Sequence, residues 1–275
     1  MKIKPEKLNF LTAGIPSNAK DYSNAFLKLD EMNLDGLEVE FVHGVRYSEK
    51  TKEYILNRNN KLITHHGPYY INLNAKEEEK LQASIKRVLD TARAGSVLGA
   101  YSVTYHAAFY LKDDSKDVTK KLIEVHNEIF DTLKKENIDI WLRPETTGKK
   151  SQWGTLDEIV ELSKNFENML PCVDFAHIHA RENGKFNTYD EFSSIFEKIG
   201  KELGEIALNN FHGHVAGIQY NDKGEIRHLV FNDSDFNYKD LLKAMKKFDI
   251  KGALVCESPN IEIDTKILKD YYESL

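Results

Sequence analysis

Eight of the ten histidines in this 275-residue chain fall in or just after short apolar segments, and three acidic residues share that placement. In chain order they are His65 and His66 in ITHHG, His106 in VTYHAA, Glu145 in RPETTG, Asp174 with His177 and His179 in VDFAHIHA, His212 and His214 in FHGHVAG, His228 in EIRHL, and Glu257 in CESPN. A buried imidazole needs its ring nitrogens satisfied, and a buried carboxylate needs a cation or several donors. Gathered in one place, so many of both are strongly unfavourable unless positive charge sits among them, and divalent metal ions supply it. Imidazole nitrogen mixed with carboxylate oxygen suits Zn2+, with Mn2+ or Fe2+ as alternatives, whereas Mg2+ and Ca2+ favour oxygen throughout. Three histidines and three acids exceed what a single tetrahedral ion uses, so two or three ions sharing a bridging carboxylate are expected.

Sequence separates these histidines only in part. His126, in a helical stretch, and His43, directly after the second apolar segment, read as hydrogen-bonded structural residues. His65 and His66 are adjacent, so in a regular strand they face opposite ways and only one joins the site. His212 and His214 share a strand face, as do His177 and His179, and the choice within each pair stays open.

For such residues to converge, the chain must present them along one rim. Eight apolar, β-rich segments (8–16, 36–42, 62–67, 101–108, 138–146, 170–178, 210–217 and 252–258) alternate with stretches of helical spacing. Leu122, Val125, Ile129 and Leu133 make one apolar stripe, and Thr155 followed by Glu158 is a capping-box pattern. Eight alternations predict a (β/α)8 TIM barrel, a single domain over 1–275. A dinucleotide-binding open sheet would need an early glycine-rich loop, and the first turn reads AGIPSNAKDY instead. In a barrel, the C-terminal strand ends and the loops after them form the active face. The longest candidate functional loops lie around Arg46 and over 217–229.

The formal net charge of −6 argues against a chain that coats nucleic acid over its whole surface, while leaving room for a local basic rim. No apolar run reaches the ~18 residues of a membrane span, and the start MKIKPEKLNFLTAG lacks the marks of a secretory signal, so a cytoplasmic, membrane-free protein is expected. Cys172 and Cys256 lie inside apolar runs and read as inert core thiols.

At its polar strand ends the sequence resembles the endonuclease IV family of apurinic/apyrimidinic endonucleases. The matching pieces are HGPYYINL (66–73), YHAAF around His106, PETTG around Glu145, VDFAHIHA around Asp174 and His177, HVAGI from His214, RHL at His228 and ESPN at Glu257. The likeness runs over nearly the whole chain; each piece alone is weak, and the combination is fairly specific. It implies a TIM barrel with three zinc ions that cuts DNA on the 5′ side of an abasic site. By that resemblance His66, His106 and Glu145 hold the first ion. Glu145 bridges to a second, held also by Asp174, His214 and Glu257, while His177 and His228 belong to the third. Glu145 and Glu257 carry the catalytic roles: Glu145 fixes the ion spacing and Glu257 orients the attacking water. Tyr69 falls where the family places an aromatic residue that enters the DNA beside the lesion, and Arg46 lies in the loop that carries another inserted side chain. The implied partner is double-stranded DNA containing abasic sites, and a monomer is expected.

One position departs from the family pattern. The third ion's Asp, two residues before the histidine matched by His228, is here Ile226, which cannot bind metal. Glu225 is the nearest carboxylate and substitutes only if the loop is shifted, with Asp222 and Asp233 as further candidates. The main rival function is a metal-dependent sugar or sugar-phosphate isomerase or epimerase on the same barrel, in which Glu38 and Glu40 of GLEVE would line a polyol pocket.

Overall fold

The computed structural model describes residues 4–275. The eight apolar segments form strands β1 (Leu8–Ala13), β2 (Gly36–Glu40), β3 (Leu62–His66), β4 (Ser102–Tyr105), β5 (Trp141–Pro144), β6 (Val173–Asp174), β7 (Phe211–Val215) and β8 (Gly252–Cys256). All pair in parallel, in the order β5-β4-β3-β2-β1-β8-β7-β6. The two ends of this ladder meet through parallel bridges at Leu142–Met169 and Glu145–Cys172. Backbone bonds carry the closure, with Cys172 N donating to Pro144 O at 3.0 Å and Thr146 N to Cys172 O at 3.1 Å. The expected TIM barrel is therefore the fold.

Helices α1 (Tyr22–Glu31), α2 (Glu49–Leu56), α3 (Glu78–Leu98), α4 (Ser115–Lys135), α5 (Leu156–Ser163), α6 (Phe175–Arg181), α7 (Tyr189–Leu203), α8 (Ile206–Asn209), α9 (Tyr238–Lys247) and α10 (Glu262–Ser274) fill the connections. The stripe on α4 is buried as its spacing requires: Leu122, Val125, Ile129 and Leu133 pack in one cluster with Val103 and Leu142 of the barrel. Both bonds of the Thr155–Glu158 capping box start α5, and a second box, Thr188–Glu191, starts α7.

Two local departures matter for the site. The strand expected through residue 178 stops at Asp174, because Asp174 is the N-cap of α6 and its Oδ1 accepts from His177 N at 2.7 Å. The segment 217–229 is a β-hairpin of Gly217–Asn221 and Gly224–Leu229 instead of an irregular loop.

Inside the barrel, Leu11, Leu62, Tyr101, Ala253 and Val255 make a small apolar plug. Beside it the fully buried Arg143 has no carboxylate partner among the described residues; its Nη2 donates to Asn210 O and Asn210 Oδ1, each at 2.8 Å. Among the described residues, no helix is long and apolar enough to cross a membrane.

His126 is buried on α4 between Tyr105 Oη and Leu122 O, each 2.7 Å from a ring nitrogen, and burial pushes its pKa down to about 4. It therefore stays neutral when folded, and its contribution to stability falls as pH drops from its ordinary value toward 4. His126→Asn is expected to leave metal content and reaction unchanged while costing about 1–3 kcal/mol through the unpartnered Tyr105 hydroxyl, read by denaturant unfolding.

Candidate metal centre

The C-terminal strand ends bring His66, His106, Glu145, Asp174, His177, His214, His228 and Glu257 to one rim, in several overlapping donor sets of which three cover all eight residues. These are His66 with His106 and Glu145; Glu145 with Asp174, His214 and Glu257; and Asp174 with His177 and His228. Glu145 joins two of them through different oxygens. Its Oε2 lies 3.1 Å from His66 Nε2 and 3.3 Å from His106 Nε2, while its Oε1 lies 3.2 Å from His214 Nδ1 and 3.4 Å from His177 Nδ1. His214 Nδ1 is also 3.4 Å from Glu257 Oε1.

These separations suit ligands gathered around ions, and at His66 and His214 they also meet hydrogen-bond geometry with Glu145. Two donors at ~2.0–2.1 Å from a tetrahedral zinc are roughly 3.3–3.4 Å apart, whereas charge-assisted hydrogen bonds contract to about 2.7–2.9 Å. Several buried donor atoms are also without hydrogen-bond partners: Asp174 Oδ2, Glu257 Oε2 and His228 Nε2. Orphaned donors of this chemistry, spaced as ligands are spaced, fit divalent ions held among them.

Backbone carbonyls aim three of the rings. His66 Nδ1 is 2.7 Å from Gly67 O, His177 Nδ1 is 3.0 Å from Thr146 O, and His228 Nδ1 is 3.2 Å from Glu257 O. With Nδ1–H donated to a carbonyl, each ring turns the lone pair of Nε2 outward as a ligand. His214 is reversed: its Nδ1 faces Glu145 and Glu257, and its Nε2 lies 3.0 Å from Glu38 Oε1.

The hairpin answers the departure at Ile226. Arg227 pairs opposite Gln219 and Glu225 opposite Tyr220, so Ile226 is an extra residue with no partner across the ladder, a β-bulge. The extra residue reverses the alternation on its N-terminal side. Glu225, three residues before His228, thereby comes to the face His228 occupies, and Ile226 turns outward, 47% exposed. Glu225 Oε2 sits 3.5 Å from His177 Nε2, while Asp222 and Asp233 are exposed. Gly148 permits this approach, since a Cβ there would stand 2.7 Å from Glu225 Cβ and 2.9 Å from His177 Cδ2.

Charge on these groups follows their neighbours. Burial works against the Glu145 carboxylate, yet His106 and His214 hold its pKa well below the usual range. Burial raises Asp174 to about 7, with Glu257 and Glu145 adding to the rise. Burial opposes a proton on His66, but Glu145 and Glu40 lift its pKa to about 10. Proton and metal thus compete for the same nitrogens.

The remaining residues divide cleanly. His65 points away from the site, buried edge-on against Phe41, with its pKa driven down to about 3 by burial. His179 is turned away by the start of α6 and pairs with Lys185 O and Asp235. His43 is exposed and stacks on Tyr70. Tyr69 stands on the rim, 54% exposed, its ring 5.7 Å from that of His66. Arg46 is exposed in the loop after β2. The two cysteines are free and buried, their thiols pushed up to about 12 by burial. Sequence reasoning missed the bulge, the Glu38 contact with both His212 and His214, and a basic edge of Lys149, Lys150 and Lys223, which the pairing of residues 149–150 with 223–224 brings together.

A parallel eight-stranded barrel with a metal-ligand rim defines a class, and the chain belongs to the xylose isomerase-like TIM barrel family, whose pattern matches residues 26–274. It is similar to an uncharacterized protein of Methanocaldococcus jannaschii, 44% identical over 98% of both chains. It is also similar to a probable endonuclease 4 of Mycoplasma genitalium, 22% identical over 78% of this chain and 72% of that one. Among solved structures, a D-tagatose 3-epimerase-like protein superposes with TM-score 0.74 at 20% identity, covering 96% of this chain and 98% of its own. Endonuclease IV from Thermus thermophilus superposes with TM-score 0.70 at 13% identity, covering 97% and 100%. At these identities the two structures establish the fold alone.

Because Glu225 reaches His177 only through the bulge, Glu225→Gln is expected to lower bound zinc by up to one ion per chain, and Ile226→Ala to leave it unchanged. Gly148→Ala is expected to act like Glu225→Gln by pushing that side chain aside. Elemental analysis of the three variants checks this, and equal metal content throughout would remove Glu225 from the site.

Proposed function

We propose that this chain, acting as a single barrel domain and a monomer, is a metal-dependent phosphodiesterase that cuts the backbone of double-stranded DNA 5′ to abasic sites. The single observation that carries the reading is the sharing of Glu145 and Asp174 between neighbouring donor sets, which suits a cluster and exceeds the needs of one ion. His66, His106 and Glu145 would hold the first ion, Glu145, Asp174, His214 and Glu257 the second, and His177 and His228 the third, with Glu225 in place of the missing aspartate. Zn2+ fits the mixed nitrogen and oxygen donors best, with Mn2+ or Fe2+ next.

Divalent ions so placed supply activation of water and neutralisation of charge on a phosphate. The protein's own groups set where that happens. Glu145, with one oxygen toward each of two sets, fixes the spacing between them. Glu257 keeps Oε2 free of protein partners, available to accept a hydrogen bond from an attacking water. Tyr69 offers an aromatic face beside the cluster, able to fill a vacated stack, and Arg46, Lys149, Lys150 and Lys223 offer exposed positive charge to flanking phosphates. An abasic nucleotide has no base to unstack, so extruding it into a recessed site costs less than extruding a normal one.

The epimerase reading keeps its support at the two acidic residues of β2. Glu40 has a buried oxygen without a partner, suited to a sugar hydroxyl, and burial raises its pKa to about 8. Glu38 likewise has both buried oxygens without a hydrogen-bond partner, though they lie 3.0 Å and 3.2 Å from His214 and His212.

Zinc-loaded protein is expected to nick a duplex carrying one abasic analogue, to leave the intact duplex uncut, and to lose activity after EDTA treatment. Glu145→Gln and Asp174→Asn should each abolish nearly all cleavage and deplete metal while the circular dichroism spectrum persists. Persistent cleavage with unchanged metal in both variants, or one ion per chain together with ketose epimerisation, would overturn the assignment.

A further inference from the structure

Glu38 lies on β2, fully buried, one layer beneath the metal-ligand rim. Its two oxygens meet two imidazoles of β7: Oε1 is 3.0 Å from His214 Nε2 and Oε2 is 3.2 Å from His212 Nε2. All four atoms are buried and none of them completes a hydrogen bond, so these are charge contacts at ion-pair distance. On the far side of His212, Nδ1 is hydrogen-bonded to Ser102 Oγ at 3.0 Å; with Ser102 as donor, the ring would carry its proton on Nε2, the nitrogen beside Glu38.

This arrangement separates His214 from the other rings of the rim. His66 and His228 place Nδ1 near a backbone carbonyl, a neutral acceptor fixed by the fold, and His177 places Nδ1 3.0 Å from Thr146 O with Asp174 Oδ2 also 3.1 Å away. His214 instead sets Nε2 against a carboxylate and turns Nδ1 toward Glu145 and Glu257. A carboxylate is the stronger acceptor: it holds the ring in the Nε2–H tautomer and makes Nδ1 a more basic ligand than a carbonyl-backed imidazole.

We propose that Glu38 is a positioning residue for the ion shared by Glu145, Asp174, His214 and Glu257, acting through His214, with Ser102 and His212 anchoring its second oxygen. The inference rests on the metal-binding part of the function proposed above and is independent of whether the substrate is DNA or a sugar. It also assigns β2, which carries none of the nine proposed ligands, a role in the centre.

Chelator competition with zinc, run on the whole chain, tests it. Glu38→Gln is expected to bind the same number of ions at saturation as the unaltered protein, with one of them held about 10–100-fold more weakly. In the cobalt-substituted protein the visible absorption of that ion should shift. Unchanged affinity with an unchanged cobalt spectrum would overturn the proposal even if the variant melts at a lower temperature, because that is what a purely structural Glu38 would do. Loss of one ion at saturation would also overturn it, by making Glu38 a ligand itself. Should Glu38→Gln not fold, long-range proton–nitrogen spectra of the zinc-loaded native protein decide. His214 with its proton on Nε2 is expected, and a proton on Nδ1 overturns the role. A native protein that binds zinc yet cuts no DNA would sink the nuclease reading and leave this test intact.

Discussion

The buried carboxylate of Glu145 at the end of β5 is the constraint around which the site is arranged. Four imidazoles stand within 3.4 Å of its two oxygens, and concentrating so many titratable groups out of water is tolerable only if their charges compensate. Strand register provides the accuracy. Glu40 pairs beside His66, His66 beside Thr104, and Asp174 beside His214, so side chains from β2 to β7 end at a common height. A slip of one residue in any of these ladders would turn its ligand to the opposite face.

Closure of the barrel is part of the same device. The bridge between Glu145 and Cys172 is where β5 and the segment leading into β6 meet, so the backbone that completes the ring also fixes Glu145 against Asp174. Asp174 then ends its strand and caps α6, which swings His177 toward the cluster and sends His179 away from it. Two histidines that would share a face on a strand lie about 200° apart on a helix, at ~100° per residue. One N-cap bond therefore selects which of the pair faces the site.

Support around the rim is graded. Carbonyls orient three rings, a carboxylate orients a fourth, and a bulged hairpin carries Glu225 to the face where a regular strand would have placed Ile226. Lower down, Ser102, His212 and Arg143 continue the polar column toward the plug of Leu11, Leu62 and Val255. The interior is polar where it must hold charge and apolar where it only closes the barrel.

Much of this was legible in the linear chain because it depends on local periodicity and residue chemistry. Alternating β-rich and helical segments imply a parallel barrel, the stripe on α4 and the Thr155–Glu158 box are local signals, and imidazoles with carboxylates at strand ends imply a cation. What the chain could not decide was every choice that turns on a backbone irregularity or a distant partner. His177 over His179 depends on where β6 gives way to α6; Glu225 over Ile226 depends on one unpaired residue in a hairpin. The tie between Glu38 and His214 joins residues far apart in sequence, on strands brought to face each other only when the barrel closes. Periodicity specifies the face of an element, whereas register, bulges and closure set which atoms on that face meet, and those exist only in the folded chain.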